Sequence, residues 1–461
     1  MDVLLEIVQT INTYLSNYVL LILLIGTGLY FTIRTRAVQV RCFGQGVKKL
    51  FGGFNLNGEK QASGMSSFQA LATAIAAQVG TGNIVGACGA ILVGGPGAIF
   101  WMWIIAFLGM ATNYAEAVLA QMTRTVDEDG TVHGGPVYYI RHVFKGAGGK
   151  FLAGFFAVAI ILALGFMGCM VQSNSIASTM NTAFTIPNWV VGIIIVIVAG
   201  FIFLGGVQRL ASVTEKLVPV MAILYILGGL VLLVMNAGNV IPAIALIFQC
   251  AFNPDASIGG VTFGIIAALT QGAKRGLFSN EAGMGSTPHA HAMANVKDPH
   301  DQGVVAMIAV FIDTMVVVTM TGLVVISTLY VGDGAMTVDA TGAAMGLDKT
   351  NMAQYAFGQF FTTGFGNAFV AICLLFFAFS TILSWNLFAK LNVEYLFGKG
   401  AVKIFMVIAL VFIFLGSLLS NDLVWELADM FNQLMVLPNA IALIALGGVV
   451  AKCANKPHNE D

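Results

Sequence analysis

The sequence predicts an all-α polytopic membrane protein: one extra N-terminal helix, then two five-helix repeats of opposite orientation. Three observations carry this. Only 9% of the 461 residues are charged, against about 25% in an ordinary soluble domain, while 58% are hydrophobic. So few charges could not cover the surface of soluble domains. Long apolar stretches recur along the chain, far beyond the roughly ten alternating residues of a barrel strand. Two of these stretches are interrupted by glycine at corresponding places, which is the sequence sign of an inverted-repeat secondary transporter. Lys+Arg is 21 and Asp+Glu 22, net charge -1. No basic patch exists on which nucleic-acid binding could rest.

A spanning helix needs about 20 mostly apolar residues. Eleven segments qualify: 15–33, 66–92, 95–120, 151–181, 187–206, 213–235, 259–293, 303–331, 357–388, 400–420 and 424–451. Eleven crossings put the termini on opposite sides. With the N-terminus outside, all but three of the 21 basic residues fall in inner segments, as the positive-inside rule requires. Lys349 lies outside, and Lys274 and Arg275 lie within the seventh segment. This predicts a multi-pass protein of the cell membrane with a cytoplasmic C-terminus. No basic region precedes the first helix, so it is expected to be retained rather than cleaved.

The expected units are the extra helix with its inner connection (1–65), a first repeat (66–235), an outer connection (236–258), a second repeat (259–451) and a cytoplasmic tail (452–461). The outer connection contains an amphipathic piece, 239–252. A second long outer loop is expected at 332–355.

The break in the second segment reads Gly80-Thr81-Gly82-Asn83. Irregular backbone at mid-membrane is tolerated where it lines a cavity. The restarting helix would present the amides of Thr81, Gly82 and Asn83 to an anionic group such as a carboxylate. The carbonyls ending the preceding half-helix, from Ala76 to Val79, suit a small cation. The seventh segment carries Gln271, Lys274, Arg275, Phe278, Ser279, Asn280 and Glu281. Ser279 suits an N-cap for a helix restarting at Asn280. Lys274 and Arg275 read best as structural, satisfying loose carbonyls or pairing with Glu281 or Asp313 at an inner gate. Phe278 would line a pocket or simply pack.

Ser380 and Thr381 are adjacent hydroxyls in an apolar helix. They are appropriate ligands for a hard cation, or they bond back to their own helix. The Gln172 amide could hold either end of a zwitterion, or join two helices. His289 and His291, two apart, do not share a helix face and make a poor metal site. The six cysteines form no CxxC pair, and no Ser/His/Asp set or HExxH motif points to an enzyme.

The strings GTGNIVG (80–86), GGPVYYI (134–140) and QGAKRGLFSNEAGMGSTPHAHA (271–292) resemble the alanine/glycine:cation symporter family, and the likeness spans nearly the whole chain. That resemblance implies a LeuT-type fold and sodium-coupled import of small neutral amino acids by alternating access. A proton-coupled permease of the same fold is the alternative. By the same resemblance, Thr81 and Gly82 take the substrate carboxylate. Asn83, Gln172, Gln271, Phe278 and Trp385 complete the substrate site, with Phe166 and Met167 as further bulk. The carbonyls of Ala76, Val79 and Phe377, with the hydroxyls of Ser380 and Thr381, hold a co-transported sodium. A second ion in some relatives uses positions matching Asn83 and Gln78; Gln78 departs from the small residue expected there. No organic cofactor is implied. The expected partners are the amino acid, sodium and the lipid bilayer.

Overall fold

A computed structural model describes residues 2–52, 64–128, 130–253, 256–258, 260–419 and 421–457. Lys60 and the rest of 53–63 in the first inner connection lie outside the described residues, as do residue 259 and 458–461 of the tail. The described chain is nearly all helix, with two small antiparallel hairpins. One pairs Thr125–Val126 with Val132–His133, the other Ala256–Ile258 with Val261–Phe263.

In chain order the principal helices are α1 (Val3–Arg34), α2 (Ser67–Gln78), α3 (Gly82–Gly94), α4 (Gly97–Thr123) and α5 (Ala147–Phe184). Next come α6 (Asn188–Leu204), α7 (Gly206–Met235), α8 (Ala237–Phe252), α9 (Ile265–Asn280) and α10 (Pro288–Met293). The series ends with α11 (Pro299–Leu329), α12 (Met352–Phe360), α13 (Thr363–Phe397), α14 (Val402–Leu418) and α15 (Asp422–Ala445). Starts are marked locally. Ser66 caps α2 in a capping box with Gln69, and Thr362 Oγ1 accepts the Phe365 amide at the head of α13.

Among the described residues, eight helices are long and apolar enough to cross a membrane, or nine with α2 and α3 taken as one span bent by 44°. The expected count of eleven is therefore not reached by that measure. α6 is apolar but only 17 residues long. The seventh segment is divided into α9 and α10, with Lys274 and Arg275 lowering the hydropathy of the longer piece.

Two boundaries differ instructively. α1 begins at Val3, not residue 15. Its first turns carry the polar residues Gln9, Asn12, Thr13, Ser16 and Asn17, which depress hydropathy. They recur at helical spacing, so one polar face forms. Asn12 and Ser16 are buried against the protein, while Val3, Ile7, Ile11 and Tyr18 face outward. The amphipathic piece expected at 239–252 is helix α8. It packs on α4, with Phe100 tilted against Phe248 and edge-on to Phe252.

α4 is central to one half, touching α1, α8, α9 and α11. α13 is central to the other, lying against α2, α5 and α7. The two broken regions meet between these halves.

Candidate substrate and ion site

α2 ends at Gln78, and Val79 leaves helical geometry (φ -80, ψ 89). The backbone resumes at Gly82 through one π-helical turn, Gly82–Gly86, a feature common at functional sites. The break is stitched locally. The Gly80 amide donates to Asn83 Oδ1 (2.8 Å), and the Asn83 amide donates to the Gly80 carbonyl (3.2 Å). Glycine is required at both positions for close approach. A Cβ on Gly80 would lie 2.4 Å from Thr381 Oγ1, and one on Gly82 would lie 2.9 Å from the Ser279 Cα.

The five expected cation donors come together here. Thr381 Oγ1 lies 2.8 Å from the Ala76 carbonyl, 3.1 Å from that of Phe377 and 3.5 Å from that of Val79. Ser380 Oγ lies 2.8 Å from the Phe377 carbonyl and 3.4 Å from that of Ala76. All five residues are buried. Five uncharged oxygens converging from two helices are a hard-cation donor set. Back-bonding to Phe377 also occurs, but it does not account for the reach to α2.

Gln172, on α5, sits on the other side of Gly80. Its Oε1 accepts the Thr81 amide (3.0 Å). Its Nε2 and the Thr81 hydroxyl are buried without a partner among the described atoms. Phe278 lies edge-on to Trp385 (centroids 5.7 Å apart) and tilted on Trp425 (4.8 Å). Trp385 Nε1 donates to Glu281. Thr81, Gly82, Asn83, Gln172, Phe278 and Trp385 thus share one neighbourhood. Gln271 does not join it. It lies more than two turns before the end of α9 and faces a chamber beside α1. Phe166 is also elsewhere, stacked on Phe412 of α14.

The second break falls later than expected. α9 continues through Ser279 to Asn280, and Glu281 ends it in the left-handed region (φ 58). Residues 281–287 are unwound, and the chain restarts at Pro288. Ser279 is therefore no N-cap; its hydroxyl donates to Asp313 (2.9 and 3.1 Å). The unwound stretch owes its shape to Glu116 of α4. That carboxylate accepts the Gly285 amide (2.9 Å), the Gly283 amide (3.1 Å) and Asn439 Nδ2 (2.6 Å). Both glycines have positive φ, and their two amides converge on the one carboxylate.

Asp313 joins the two breaks. It lies in a π-helical turn of α11 and accepts from Asn83 Nδ2 (2.5 Å), Ser279 and Thr314 (2.7 Å). Gln78 Nε2 donates to the Asn280 carbonyl (2.7 Å), tying α2 to α9. The bulk of Gln78 thus links helices. In the sequence, Glu116 and Asp313 are simply acids within apolar stretches. Apart from Thr314, their partners sit 34 to 323 residues away, and no local pattern signals them.

Lys274 and Arg275 pair with neither Glu281 nor Asp313. Their partner is Asp429 of α15. Lys274 Nζ lies 2.8 Å from Asp429 Oδ2 and Arg275 Nη1 3.1 Å from Oδ1. Arg275 lies over the Trp425 ring (4.6 Å), and Lys349, from the loop expected outside, lies over it as well (5.3 Å). The lock stands on the side of that loop. Both residues are in the helical part of the seventh segment, so their charges meet α15 rather than the unwound backbone.

Comparison with known proteins decides the family. The model of the sodium:alanine symporter family matches residues 1–460. The chain belongs to the sodium:alanine symporter family. The symporter is 40% identical over 457 residues to "Sodium/alanine symporter AgcS" of Methanococcus maripaludis, covering 99% of this chain and 97% of that one. It is 42% identical over 448 residues to an "Uncharacterized transporter" of Haemophilus influenzae, covering 96% and 94%. In fold it is similar to a Na+-coupled sialic acid symporter solved in a substrate-bound outward-open state, with a TM-score of 0.52 at 11% identity over 95% of this chain and 97% of that one. The symporter therefore has the LeuT-type fold, is a multi-pass membrane protein, and is a transporter rather than an enzyme.

Proposed function

We propose that the symporter imports alanine or glycine together with sodium by alternating access. The observation that carries this is the meeting of both binding groups at one break. The donors of Ala76, Val79, Phe377, Ser380 and Thr381 flank it on one side. Gln172 and the Thr81 and Gly82 backbone flank it on the other.

Sodium would bridge α2 and α13, completing its ligand set only when both helices are docked. The substrate carboxylate would take the Thr81 amide now held by Gln172 Oε1. The unpartnered Gln172 Nε2 and Thr81 hydroxyl would then donate to it. The ammonium would face the polar end of α9. Phe278 and Trp385 close the space around a small side chain. A net charge of +1 moves inward with the ion, so 100 mV adds about 2.3 kcal/mol of drive. The repeats are assigned to 66–235 and 259–451, with the N-terminus outside and the tail inside. A proton-driven cycle would need no such oxygen cluster between α2 and α13.

The test is radiolabelled alanine uptake into proteoliposomes under imposed sodium, lithium, potassium or pH gradients. A sodium gradient alone should drive accumulation. Equal uptake with no sodium gradient, or uptake driven by pH alone, refutes the sodium coupling.

A further inference from the structure

After α15 the chain runs on as α16 (Gly447–Asn455), which packs on α1, α4 and α11. Its end is pinned to the end of α1 and the turns that follow. Asn455 Nδ2 donates to the Arg34 carbonyl (3.1 Å), and Arg41 Nη2 donates to the Ala454 carbonyl (2.5 Å). Between α16, the end of α4 and the head of α11 lies a cavity of about 450 Å³. That is within the usual range for small-ligand sites, about 300–1,000 Å³. It lies far from both breaks, at the level where these helices end.

The walls change character along α16. Val449 and Met122 of α4 are each 42% exposed, apolar surface that the helix packing leaves uncovered. Lys452 and Lys456 follow Val449 one and two turns on, so about 10 Å of helix runs from the apolar wall to the last lysine. Lys297, from the segment leading into α11, adds a third cation. All three lysines are exposed, and none has an ion-pair partner among the described residues. Asp298, the one acid lining the cavity, turns Oδ1 to the His300 amide (2.9 Å) and caps α11. Three cations against one carboxylate leave an excess of positive charge beside an apolar wall.

We propose that this cavity holds the headgroup of an anionic glycerophospholipid. In such a lipid a phosphate sits directly above hydrocarbon. Lys452, Lys456 and Lys297 complement the phosphate, and Val449 and Met122 complement the start of the acyl chains. A free phosphate would satisfy the lysines but leave the apolar wall in water. A zwitterionic lipid would bring its own ammonium to a cluster already in excess of positive charge. In the orientation proposed above the cavity opens to the inner leaflet, whose anionic lipids attract basic segments beside a membrane span. A headgroup seated there joins α16 to α4 and α11, the helices that carry Glu116 and Asp313, and so stabilises the folded protein.

The test is lipid binding to the purified full-length symporter in detergent, read by native mass spectrometry and by melting. Dioctanoyl phosphatidylglycerol should add saturably, one molecule per chain, and raise the melting temperature. Dioctanoyl phosphatidylcholine and inorganic phosphate at the same concentration should do neither. Phosphate acting as well as the anionic lipid would assign the cavity to a free anion, and phosphatidylcholine acting as well would make it a plain apolar groove; either overturns the lipid site. A lysine near the surface is worth about fivefold in affinity for an anionic lipid, so Lys297→Gln/Lys452→Gln/Lys456→Gln should bind about 100-fold more weakly and Lys452→Gln alone about fivefold. Without lipid, both should melt with the parent. Lys145→Gln/Lys150→Gln/Lys403→Gln removes the same charge from exposed lysines elsewhere and should bind as the parent does. Parental binding in the first triple variant, or equal loss in both triples, overturns the cavity as the site.

Discussion

Thr381→Val tests the ion site most directly. The substitution keeps side-chain volume and β-branching and replaces only the hydroxyl with a methyl group. The Thr381 hydroxyl stands 2.8 Å from the Ala76 carbonyl, 3.1 Å from that of Phe377 and 3.5 Å from that of Val79. It is both one of five donors and the group that satisfies the Ala76 carbonyl near the end of α2. Removing it takes an oxygen from the cation. It also places a methyl against a carbonyl that the bend turns away from ordinary helix bonding. A hydrogen bond to a charged group is worth about 1.5–3 kcal/mol, which corresponds to roughly 10- to 150-fold in affinity.

The sodium concentration for half-maximal alanine uptake should therefore rise about 10- to 150-fold in Thr381→Val. Thr381→Ser keeps the hydroxyl and should stay within a few-fold of the parent. The readout is initial uptake against external sodium at saturating alanine, alongside sodium-dependent thermal stabilisation of purified protein. A valine variant with parental sodium dependence, in protein that remains folded, would show that Thr381 does not ligate the ion.

Two further outcomes follow from the packing. Asp429→Asn leaves Lys274 and Arg275, each about one-tenth exposed, without their shared carboxylate. Stripping one partner from a buried pair costs about 3–5 kcal/mol, so melting of purified protein should shift down clearly; an unchanged melt refutes the pairing. Gly82→Ala puts a methyl 2.9 Å from the Ser279 Cα, a backbone atom that cannot swing aside. Overpacking should cost about 1–3 kcal/mol and abolish or strongly slow uptake, and parental transport would show that the two broken helices do not pack this closely.

Features set by short-range chemistry are legible in the residues themselves. Gly80, Gly82 and Asn83 lie within four residues, so the first break is visible as such. Ser380 and Thr381 are adjacent, and their role needs only a facing carbonyl row. The second break lies several residues beyond the place the sequence suggests. Ser279, expected to cap a restarting helix, lies within α9, as do Gly272 and Gly276. The unwinding at 281–287 depends on Glu116, an acid far upstream in the chain. The start of α1 is hidden for a related reason. Hydropathy reads each residue as if it faced lipid, whereas Asn12 and Ser16 face Glu426 and Gln433.

Composition and local backbone freedom are enough to dictate that this chain lives in lipid, the order of its long apolar stretches and the first of the two places where helices open. Both act within a turn or two, so they can be read from neighbouring residues. Which charge meets which is a matter of tertiary packing. Asp429 rather than Glu281 holds Lys274 and Arg275, Glu116 shapes the second break, and Gln271 faces a chamber built by the extra helix rather than the break. In a low-dielectric interior a charge takes the partner that helix packing brings within about 4 Å, and that neighbour is set by the fold, not by proximity along the chain.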